Sequence, residues 1–418
     1  MHLAVHWPRL GPYHIARLRA AHELFASRGA KVTALEVASQ DGTYRWNAEE
    51  EHEAFARVCA LPGRTYDAVP TAEMRAAVAR TLDALDPDAV AITSYSTPDA
   101  QAALQWCRSR RRGAVLMFAT KASDASRIRW REWVKRTLVG AYDAALVGGT
   151  PHRDYLEVLG FPSERIFQPY NAVDNAYFAT GAAEARSDPA GTAARLGLES
   201  AQPYFLCVSR FLALKNLDGL IRAYARYASG AAEAAQQPWP LVLVGDGSQR
   251  AVLERQAAAV PHGTVHFAGF RQKEELPGFY GLAGVFVFPT FMDTWGLVVN
   301  EAMAASLPVL VSDRAGCYAD LVEPGENGHH FSPDDSGELT RLLAWASEPE
   351  LDRSAMGAFS AERIRAWSPE AFSEGLWQAY QAARPRAGRA FAPAPRLALA
   401  LLRLLSRRHG AYHTVPNA

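Results

Sequence analysis

The chain has 418 residues, of which 49% are hydrophobic and 21% charged, and its 44 basic and 44 acidic residues leave no net charge. Because a single hydrophobic core stops growing at roughly 250–300 residues, this length predicts two domains. The balanced charge argues against a nucleic-acid-binding protein, which would carry a basic domain.

Cysteine usage and hydropathy favour the reducing cytoplasm. The four cysteines lie far apart without a CxxC pair, at Cys59, Cys107, Cys207 and Cys317. This pattern disfavours a disulfide framework or a zinc knuckle. Polar and charged residues interrupt the N-terminal segment MHLAVHWPRL, and no apolar run reaches the roughly 20 residues of a membrane span. We therefore expect a cytoplasmic protein without a secretory signal.

From the N-terminus, short apolar runs alternate with longer amphipathic stretches. Strand-like runs occupy residues 3–7, 31–38, 88–93, 113–120, 143–149 and 164–170. Helix-like stretches occupy residues 14–29, 98–111 and 126–139. Several of the strands are apolar on both faces, which predicts a parallel sheet covered by helices on both sides.

The second half begins with a change of composition. Residues 179–203 are rich in Ala, Gly, Ser and Pro, which predicts a linker. Further strand-like runs follow at 204–210, 240–247, 265–270, 284–290 and 307–313. Beyond them, Pro369 follows Ser368 as in a helix N-cap, and one stripe of this helix is apolar through Phe372, Leu376 and Tyr380. We expect this helix to pack across the domain junction.

These elements predict an α/β fold of two Rossmann-like domains with parallel sheets, facing across a cleft. Ligands of such sheets bind beyond the carboxyl ends of the strands. The predicted divisions are an N-terminal domain over 1–178, the linker over 179–203, a C-terminal domain over 204–366, a crossover helix over 367–383 that packs back on the N-terminal domain, and a basic and apolar tail over 384–418.

Two weak signals for a phosphate ligand lie in the C-terminal domain. Arg210 ends one strand-like run and Lys215 follows five residues later. An arginine fork and a lysine point charge together suit a diphosphate, although such residues are more often ordinary solvated cations. Gly245 and Gly247 end the run VLVGDG, where glycine permits close approach of a ligand. A plain strand-to-helix turn explains these glycines equally well.

The strongest signal is PTFMDTWGLVVNEAMAASLPVLVSD, residues 289–313. After a strand, a loop carries Asp293, and Gly296, Leu297 and Val298 open a helix that contains Glu301. The free amides of a first helical turn bind anions, helped by the helix dipole. Glu301, one turn in, is placed to accept hydrogen bonds from a ribose diol. The alternative is a capping Asp293 and a surface Glu301.

Together these features resemble the retaining GT-B glycosyltransferases of glycosyltransferase family 4, which carry an E-x7-E motif followed by A-M-A-x-G-x-P-V. Asp293 and Glu301 keep the spacing and AMAASLPV follows, while Arg210 and Lys215 correspond to the paired basic residues of the family. QPYNAVD at 168–174 resembles the family's N-G-V-D turn, and GENGHHF at 325–331 its G-x-N-G-x-x-F turn. The resemblance is specific over residues 204–332 and looser before them.

The chain departs from the family pattern at several positions. Asp293 is one methylene shorter than the usual Glu, and Ser306 and Ala315 stand where Gly is frequent. Many members place a His at the end of a first-domain strand, facing the donor sugar. The corresponding stretch 118–124 has none, and the residues that would serve instead are Lys121, Ser123 or Asp124.

The resemblance implies a hexosyltransferase-type enzyme for polysaccharide or glycolipid biosynthesis. It would move a sugar from a UDP-, GDP- or other nucleoside-diphosphate sugar to a glycan or lipid-linked acceptor, with retention of configuration. Arg210, Lys215 and the amides at 296–298 would stabilise the leaving diphosphate, so no cofactor or metal is expected. No DxD pair at the strand ends suggests a metal site.

The remaining contacts to the donor are also predicted. Asp293 would hold hydroxyls of the sugar and Glu301 the ribose. The nucleobase would lie near Phe270 and Arg271, where an aromatic face or a guanidinium can stack on it.

Three alternatives remain open. A GT-B epimerase would need additional acid and base groups in the cleft, and a phosphorylase often needs a pyridoxal-phosphate lysine; no motif predicts either. A non-catalytic sugar-nucleotide-binding or scaffold protein would bind the nucleotide without turnover.

The first domain offers two candidates near its start. Gly11 lies in the loop WPRLGPYHI, which would let the backbone approach the donor phosphate or the acceptor. His14 begins the following helix, but a lone histidine is more often a structural hydrogen-bonding residue.

A possible acceptor surface lies on the helix at 126–139. Arg127, Arg131 and Lys135 recur at four-residue spacing, and Trp130 and Trp133 lie among them. The helix would lie on an anionic membrane, or it would be a solvated basic face over buried tryptophans. The tail 384–418, with seven arginines and the apolar run LALALLRLL, favours a membrane-surface helix or a cover for the first domain. We expect peripheral contact at the inner membrane face.

Overall fold

The computed structural model describes residues 1–40, 54–199 and 202–383. The chain divides into two compact units, unit 1 with Met1–Ala172 and the segment from Pro369 onward, and unit 2 with Val173–Ser368. Each unit contains a wholly parallel sheet flanked by helices. The predicted fold class, two Rossmann-like α/β domains, is confirmed.

Unit 1 alternates strands and helices from its first residues. Its elements before residue 172 are β1 (His2–Trp7), α1 (Pro12–Ser27), β2 (Lys31–Gln40), β3 (Ala56–Thr65), α2 (Thr71–Leu85), β4 (Ala89–Thr93), α3 (Pro98–Arg110), β5 (Gly113–Phe118), α4 (Arg129–Val139), β6 (Ala144–Val147), α5 (Thr150–Val158) and β7 (Ile166–Phe167). Their order in the sheet is β3-β2-β1-β4-β5-β6-β7. The central strands β1, β4, β5 and β6 are buried, as both faces of a covered parallel sheet require.

Unit 2 repeats the arrangement with six strands. Its elements are α6 (Asn175–Ser187), α7 (Pro189–Leu196), β8 (Phe205–Val208), α8 (Leu217–Glu233), β9 (Leu241–Val244), α9 (Arg250–Ala257), β10 (Val265–Gly269), α10 (Leu276–Leu282), β11 (Val285–Phe288), α11 (Leu297–Ala304), β12 (Val309–Ser312), α12 (Tyr318–Leu321), β13 (Gly328–Phe331), α13 (Ser336–Ala346) and α14 (Arg353–Ile364). The sheet order is β10-β9-β8-β11-β12-β13.

The last described helix, α15 (Pro369–Ala383), returns to unit 1. Its stripe of Phe372, Leu376 and Tyr380 is fully buried in the core that α15 shares with α1 and the sheet. The Cβ position at Gly113 lies 2.5 Å from the carbonyl oxygen of Ala383, so the end of α15 touches the start of β5. The predicted tail 384–418 lies outside the described residues.

The prediction of a linker over 179–203 was wrong. Residues up to 196 form α6 and α7, which belong to unit 2, and the boundary between the units falls at Ala172 rather than at 178. The Asp174 and Asp188 side chains cap the two helices. The small residues that suggested a linker instead allow close packing, since a Cβ at Gly281 of α10 would lie 2.6 Å from the Cβ of Ala185 of α6.

Several elements were not predicted, among them β3 and α2, and one strand was shorter than predicted. The strand β3 contains Pro62, which removes a backbone donor and is tolerated because β3 is the edge of its sheet. The helix α2 buries Met74, Val78 and Leu82. The predicted strand 164–170 shrinks to the two residues of β7.

Candidate functional site

In unit 2 the carboxyl ends of the strands meet at one edge of the sheet. Chain order reverses between β8 and β11, and ligands of open α/β sheets bind beside such a switch point. The loop after β8 carries Arg210 and Lys215, and the loop after β11 carries Asp293. The two loops are joined, because the amide of Phe291 donates to the carbonyl of Leu214 at 2.9 Å.

Lys215 and Asp293 form a buried ion pair at this point. The Lys215 Nζ atom lies 2.6 Å from Oδ2 of Asp293, and the two residues are 6% and 4% exposed. The other carboxylate oxygen, Oδ1, accepts a hydrogen bond from the amide of Trp295 at 3.0 Å. Arg210 lies half-buried, two residues beyond the end of β8. The sequence placed Asp293 on the donor sugar; the contact found here is with Lys215.

The glycines after β9 fit against the loop that carries Arg210. A Cβ at Gly245 would lie 1.8 Å from the carbonyl oxygen of Ser209, and one at Gly247 would lie 2.5 Å from that of Phe211. Only glycine therefore allows the two loops to approach. Neither explanation from the sequence included this packing against the protein's own backbone, and approach of a ligand to the two glycines stays a prediction.

The start of α11 presents backbone amides at the same edge. Gly296 precedes the helix with a φ of 103°, a left-handed conformation that favours glycine, and a Cβ there would lie 2.8 Å from the Phe288 ring. In the part of the chain that the structure describes, the amides of Leu297 and Val298 donate to no protein acceptor. They are the groups that bind anions at a helix N-terminus.

Glu301 lies inside unit 2, and its predicted contact with the ribose stays a prediction. It is wholly buried, and its Oε2 atom accepts a hydrogen bond of 2.6 Å from the Tyr280 hydroxyl of α10. In this structure the carboxylate is therefore engaged inside unit 2. The alternative of a surface carboxylate was wrong, because Glu301 points into the packed side of α11.

Sequence reasoning missed a tryptophan cluster that holds the loop between Asp293 and α11. The Trp295 indole donates to Oδ1 of Asn300 at 2.8 Å, and its ring stacks on Trp367 with centroids 6.2 Å apart and planes 30° apart. Trp367 is the second-last residue of unit 2. The only signal in the sequence was the aromatic residue inside the motif, and its partner is 72 positions away.

The predicted nucleobase contacts lie just after β10. Phe270 is 39% exposed, and the amide of Gly245 donates to the carbonyl of Gly269, which joins this loop to the end of β9. The Arg271 guanidinium donates to Oε1 of Glu275 at 2.7 Å and lies 5.6 Å from the Phe279 ring. Phe270 thus offers an aromatic face, while Arg271 is engaged within its own loop.

In unit 1, the Gly11 amide donates to Nδ1 of His14 at 2.9 Å, which caps α1. A Cβ at Gly11 would meet nothing closer than 3.8 Å, so close approach does not require glycine there. Burial, and secondarily the nearby Arg17, lower the pKa of His14 well below its usual value. His14 has a structural contact, as the plainer explanation of this residue predicted.

The stretch that lacks the family's histidine forms its own buried ion pair. Lys121 contacts Asp124, and the Lys121 amide donates to the same carboxylate at 2.8 Å. Ser123 is exposed between them. Lys121 and Asp124 therefore neutralise each other in unit 1.

Within residues 1–40, 54–199 and 202–383, no group of three or more His, Cys, Asp or Glu side chains is arranged to hold a metal ion. Every helix in the same ranges is too short or too polar to span a membrane.

Comparisons with known proteins agree with this description. Residues 192–363 match the model of the family described as glycosyl transferases group 1. A mannosyltransferase of Corynebacterium glutamicum, acting on a monoacylated phosphatidylinositol monomannoside and dependent on GDP-mannose, is 28% identical over 45% of this chain and 50% of its own length. The chain spans half or less of the length of the first three curated relatives that it matches.

Similarity to solved structures extends over most of the chain. The Anabaena protein HepE, solved with UDP and glucose, is 18% identical with a TM-score of 0.67 and covers 91% of this chain and 99% of its own. This likeness concerns the fold, which is that of the GT-B glycosyltransferases. A GDP-mannose-dependent alpha-mannosyltransferase of Mycobacterium tuberculosis is 30% identical over 81% of this chain and 85% of its own length. On that similarity, this chain belongs to the glycosyl transferases group 1 family.

Proposed function

We propose that this chain is a glycosyltransferase that transfers a sugar from a nucleoside-diphosphate sugar to a glycan or lipid-linked acceptor, in polysaccharide or glycolipid biosynthesis. The observation that carries the proposal is that Lys215 and the start of α11 lie at the same edge of the unit 2 sheet, where the amides of Leu297 and Val298 have no protein acceptor among the described residues. Sequence relatives are named for GDP-mannose and the Anabaena structure contains UDP, which supports a nucleoside-diphosphate sugar as the donor.

The proposed mechanism uses these groups on the leaving diphosphate. As the bond between the anomeric carbon and the diphosphate breaks, negative charge develops on the phosphate oxygens and positive charge on the sugar ring. Arg210, Lys215 and the α11 amides lower the barrier because preorganised donors stabilise charge that forms in the transition state. The acceptor hydroxyl attacks from the face of the leaving group, its proton passes to the diphosphate, and configuration is retained. No cofactor or metal ion enters this scheme.

The donor contacts remain parts of the proposal. Phe270 would stack on the nucleobase, and Glu301 would bind the ribose if its hydrogen bond to Tyr280 were exchanged for one to the diol. Asp293 would position Lys215 rather than reach the sugar by itself.

The test is Arg210→Ala, measured as release of nucleoside diphosphate from the sugar nucleotide that most raises the melting temperature of the wild type. A ligand that binds only the folded state produces such a rise. Loss of one preorganised donor should lower turnover by about 10²–10³-fold. Arg222→Ala, on the exposed face of α8, is the matched control. Turnover of Arg210→Ala within twofold of the control would remove the leaving-group argument.

A sugar-nucleotide-binding protein without turnover is the second candidate. The Lys215–Asp293 pair favours it, because a cation already neutralised is a weaker stabiliser of a leaving group. Nucleotide affinity by calorimetry, without nucleotide release from any sugar nucleotide in the panel, would select this candidate.

We also propose that the protein acts in the cytoplasm, in peripheral contact with the inner membrane face. The Corynebacterium relative is named for a phosphatidylinositol acceptor. Cell fractionation tests this proposal, since recovery with the membrane fraction that is reversed by salt would support an electrostatic contact.

A further inference from the structure

Helix α4 carries its charged contacts on the inner side. The Lys135 Nζ atom donates to the Tyr155 hydroxyl at 2.7 Å, and that hydroxyl donates to the Glu132 carboxylate at 3.0 Å. Lys135 and Arg127 also lie 5.3 and 5.2 Å from the Tyr155 ring centroid. Because these groups pair with one another beneath the helix, the carboxylate of Glu132 is turned towards α5.

The large apolar side chains of the same segment face outward. Ile128, Trp130 and Trp133 are 40%, 44% and 45% exposed, although Val134 and Leu138 of the helix are buried. The explanation of a solvated basic face over buried tryptophans was therefore wrong. Exposed apolar clusters of this kind mark interaction sites on proteins, because contact with water is unfavourable for them.

Cations surround these apolar residues. The segment 126–139 contains four arginines and one lysine against the single acid Glu132. Arg129 and Arg136 are exposed at positions that share a helical face with Trp133. The Arg131 guanidinium lies 5.4 Å from the Trp130 ring.

We propose that the α4 tryptophan face, defined as Ile128, Trp130 and Trp133 with Arg129 and Arg136, binds an anionic lipid bilayer. Indole rings prefer the bilayer interface, and arginines beside them pair with anionic headgroups. The positive charge of Arg129 and Arg136 favours an anionic bilayer over a neutral apolar partner. This proposal identifies the residues that would contact the membrane. The idea that this contact brings the enzyme to a lipid-linked acceptor rests on the proposed function.

The test is co-sedimentation of full-length protein with vesicles of phosphatidylcholine alone or mixed with an equal amount of phosphatidylglycerol, at low salt. The wild type should bind the mixed vesicles and not the neutral ones. Trp130→Ser with Trp133→Ser, or Arg129→Gln with Arg136→Gln, should each weaken binding by at least about tenfold, since one surface cation is worth about fivefold.

Control variants remove similar groups from unit 2. Val252→Ser removes an exposed apolar side chain, and Arg222→Gln with Arg365→Gln removes two exposed cations. These variants should bind as the wild type does. Equal vesicle binding by the tryptophan variant and the wild type would overturn the proposal, as would no binding by the wild type.

Two measurements distinguish lipid binding from self-association of the chain and from a failure of the proposed enzymatic function. Light scattering on a gel-filtration column should give the same mass for the wild type and the tryptophan variant; a dimer lost only in the variant would assign the face to a second copy and overturn the lipid proposal. Nucleotide release without vesicles should be equal in both proteins. Vesicle binding can thus fail while sugar-nucleotide turnover persists, or the reverse.

Discussion

The Lys215–Asp293 pair makes a quantitative prediction about folding. Lys215→Met keeps the length of the side chain and removes its charge, which leaves the carboxylate of Asp293, only 4% exposed, without its counter-ion. Breaking a buried ion pair on one side costs about 3–5 kcal/mol. With about 2–4 °C per kcal/mol for a unit of this size, the melting temperature of unit 2 should fall by about 6–20 °C.

A double variant tests whether the unpaired charge of Asp293 causes the loss of stability. Lys215→Met with Asp293→Asn removes both charges, and the Asn side-chain oxygen can still accept the hydrogen bond from the Trp295 amide. Since a buried pair can be replaced by neutral groups at little cost, the double variant should recover most of the lost stability. It should not recover nucleotide release, because the cation is still missing.

Differential scanning calorimetry of ligand-free protein provides the measurement, since it resolves separate transitions if the two units unfold independently. Asp293→Asn alone completes the double-mutant cycle. A Lys215→Met variant that melts within about 2 °C of the wild type would refute the reasoning, because the small loss would mean that water reaches the carboxylate. Strictly additive effects of the two substitutions would refute it equally.

Three further predictions concern neighbours of the site. Tyr280→Phe leaves a buried oxygen of Glu301 without that donor and should destabilise the protein by about 1–3 kcal/mol in urea unfolding; a loss below 0.5 kcal/mol, roughly the scale of a surface change, would argue against the contact. Trp367→Ala should weaken nucleotide binding measured by calorimetry, because it frees the Trp295 ring, and Trp367→Phe should restore the affinity; equal affinities in all three proteins would contradict a positioning role. Ser306 has a φ of 59°, so Ser306→Gly should raise stability by about 1 kcal/mol, and an unchanged melting temperature would show that the strain is absent.

The alternation of strands and helices could be predicted from the sequence because each buried parallel strand is a short apolar run. Such a run is recognised from its own residues, without knowledge of the neighbouring strands. The error over α6 and α7 has a physical reason. Alanine and glycine are ambiguous, since they loosen a linker but also let two helices approach, as Ala185 and Gly281 do. Only the residues of α10, about a hundred positions later in the chain, decide between the two outcomes.

The site was predictable as a set of positions and not as a set of contacts. The sequence placed Arg210, Lys215 and Asp293 on neighbouring strand ends, which follows from strand order. That Lys215 takes Asp293 as its partner depends on side-chain reach across two loops, and Asp has one methylene fewer than the residue usual in the family. Ser306 is a clearer case, because its positive φ explains why glycine is frequent there and no local pattern reveals the angle.

The two units share a sheet topology but differ in the charged residues at their switch points. At the switch point of unit 1, between β1 and β4, His6 Nε2 lies 3.2 Å from Oδ2 of Asp99, and both residues are fully buried. The Tyr66 hydroxyl donates to the other oxygen, Oδ1. Burial raises the pKa of Asp99, but the contact with His6 and the hydrogen bonds from Thr97 and Tyr66 outweigh that effect and hold the pKa below the ordinary value. The carboxylate is therefore ionised and enclosed at neutral pH.

The Lys215–Asp293 ion pair of unit 2 differs from this contact in the elements that carry its two residues. In unit 1 the histidine belongs to strand β1 itself, within the sheet, so the pair is part of the core. In unit 2 the lysine and the aspartate stand on loops beyond the strand ends, beside a glycine-opened helix whose first amides have no protein acceptor in the described residues. The unit 1 pair is enclosed in the core, whereas the charges of unit 2 lie on loops beside helix amides that can bind an anion. For that reason we propose that the nucleotide binds to unit 2.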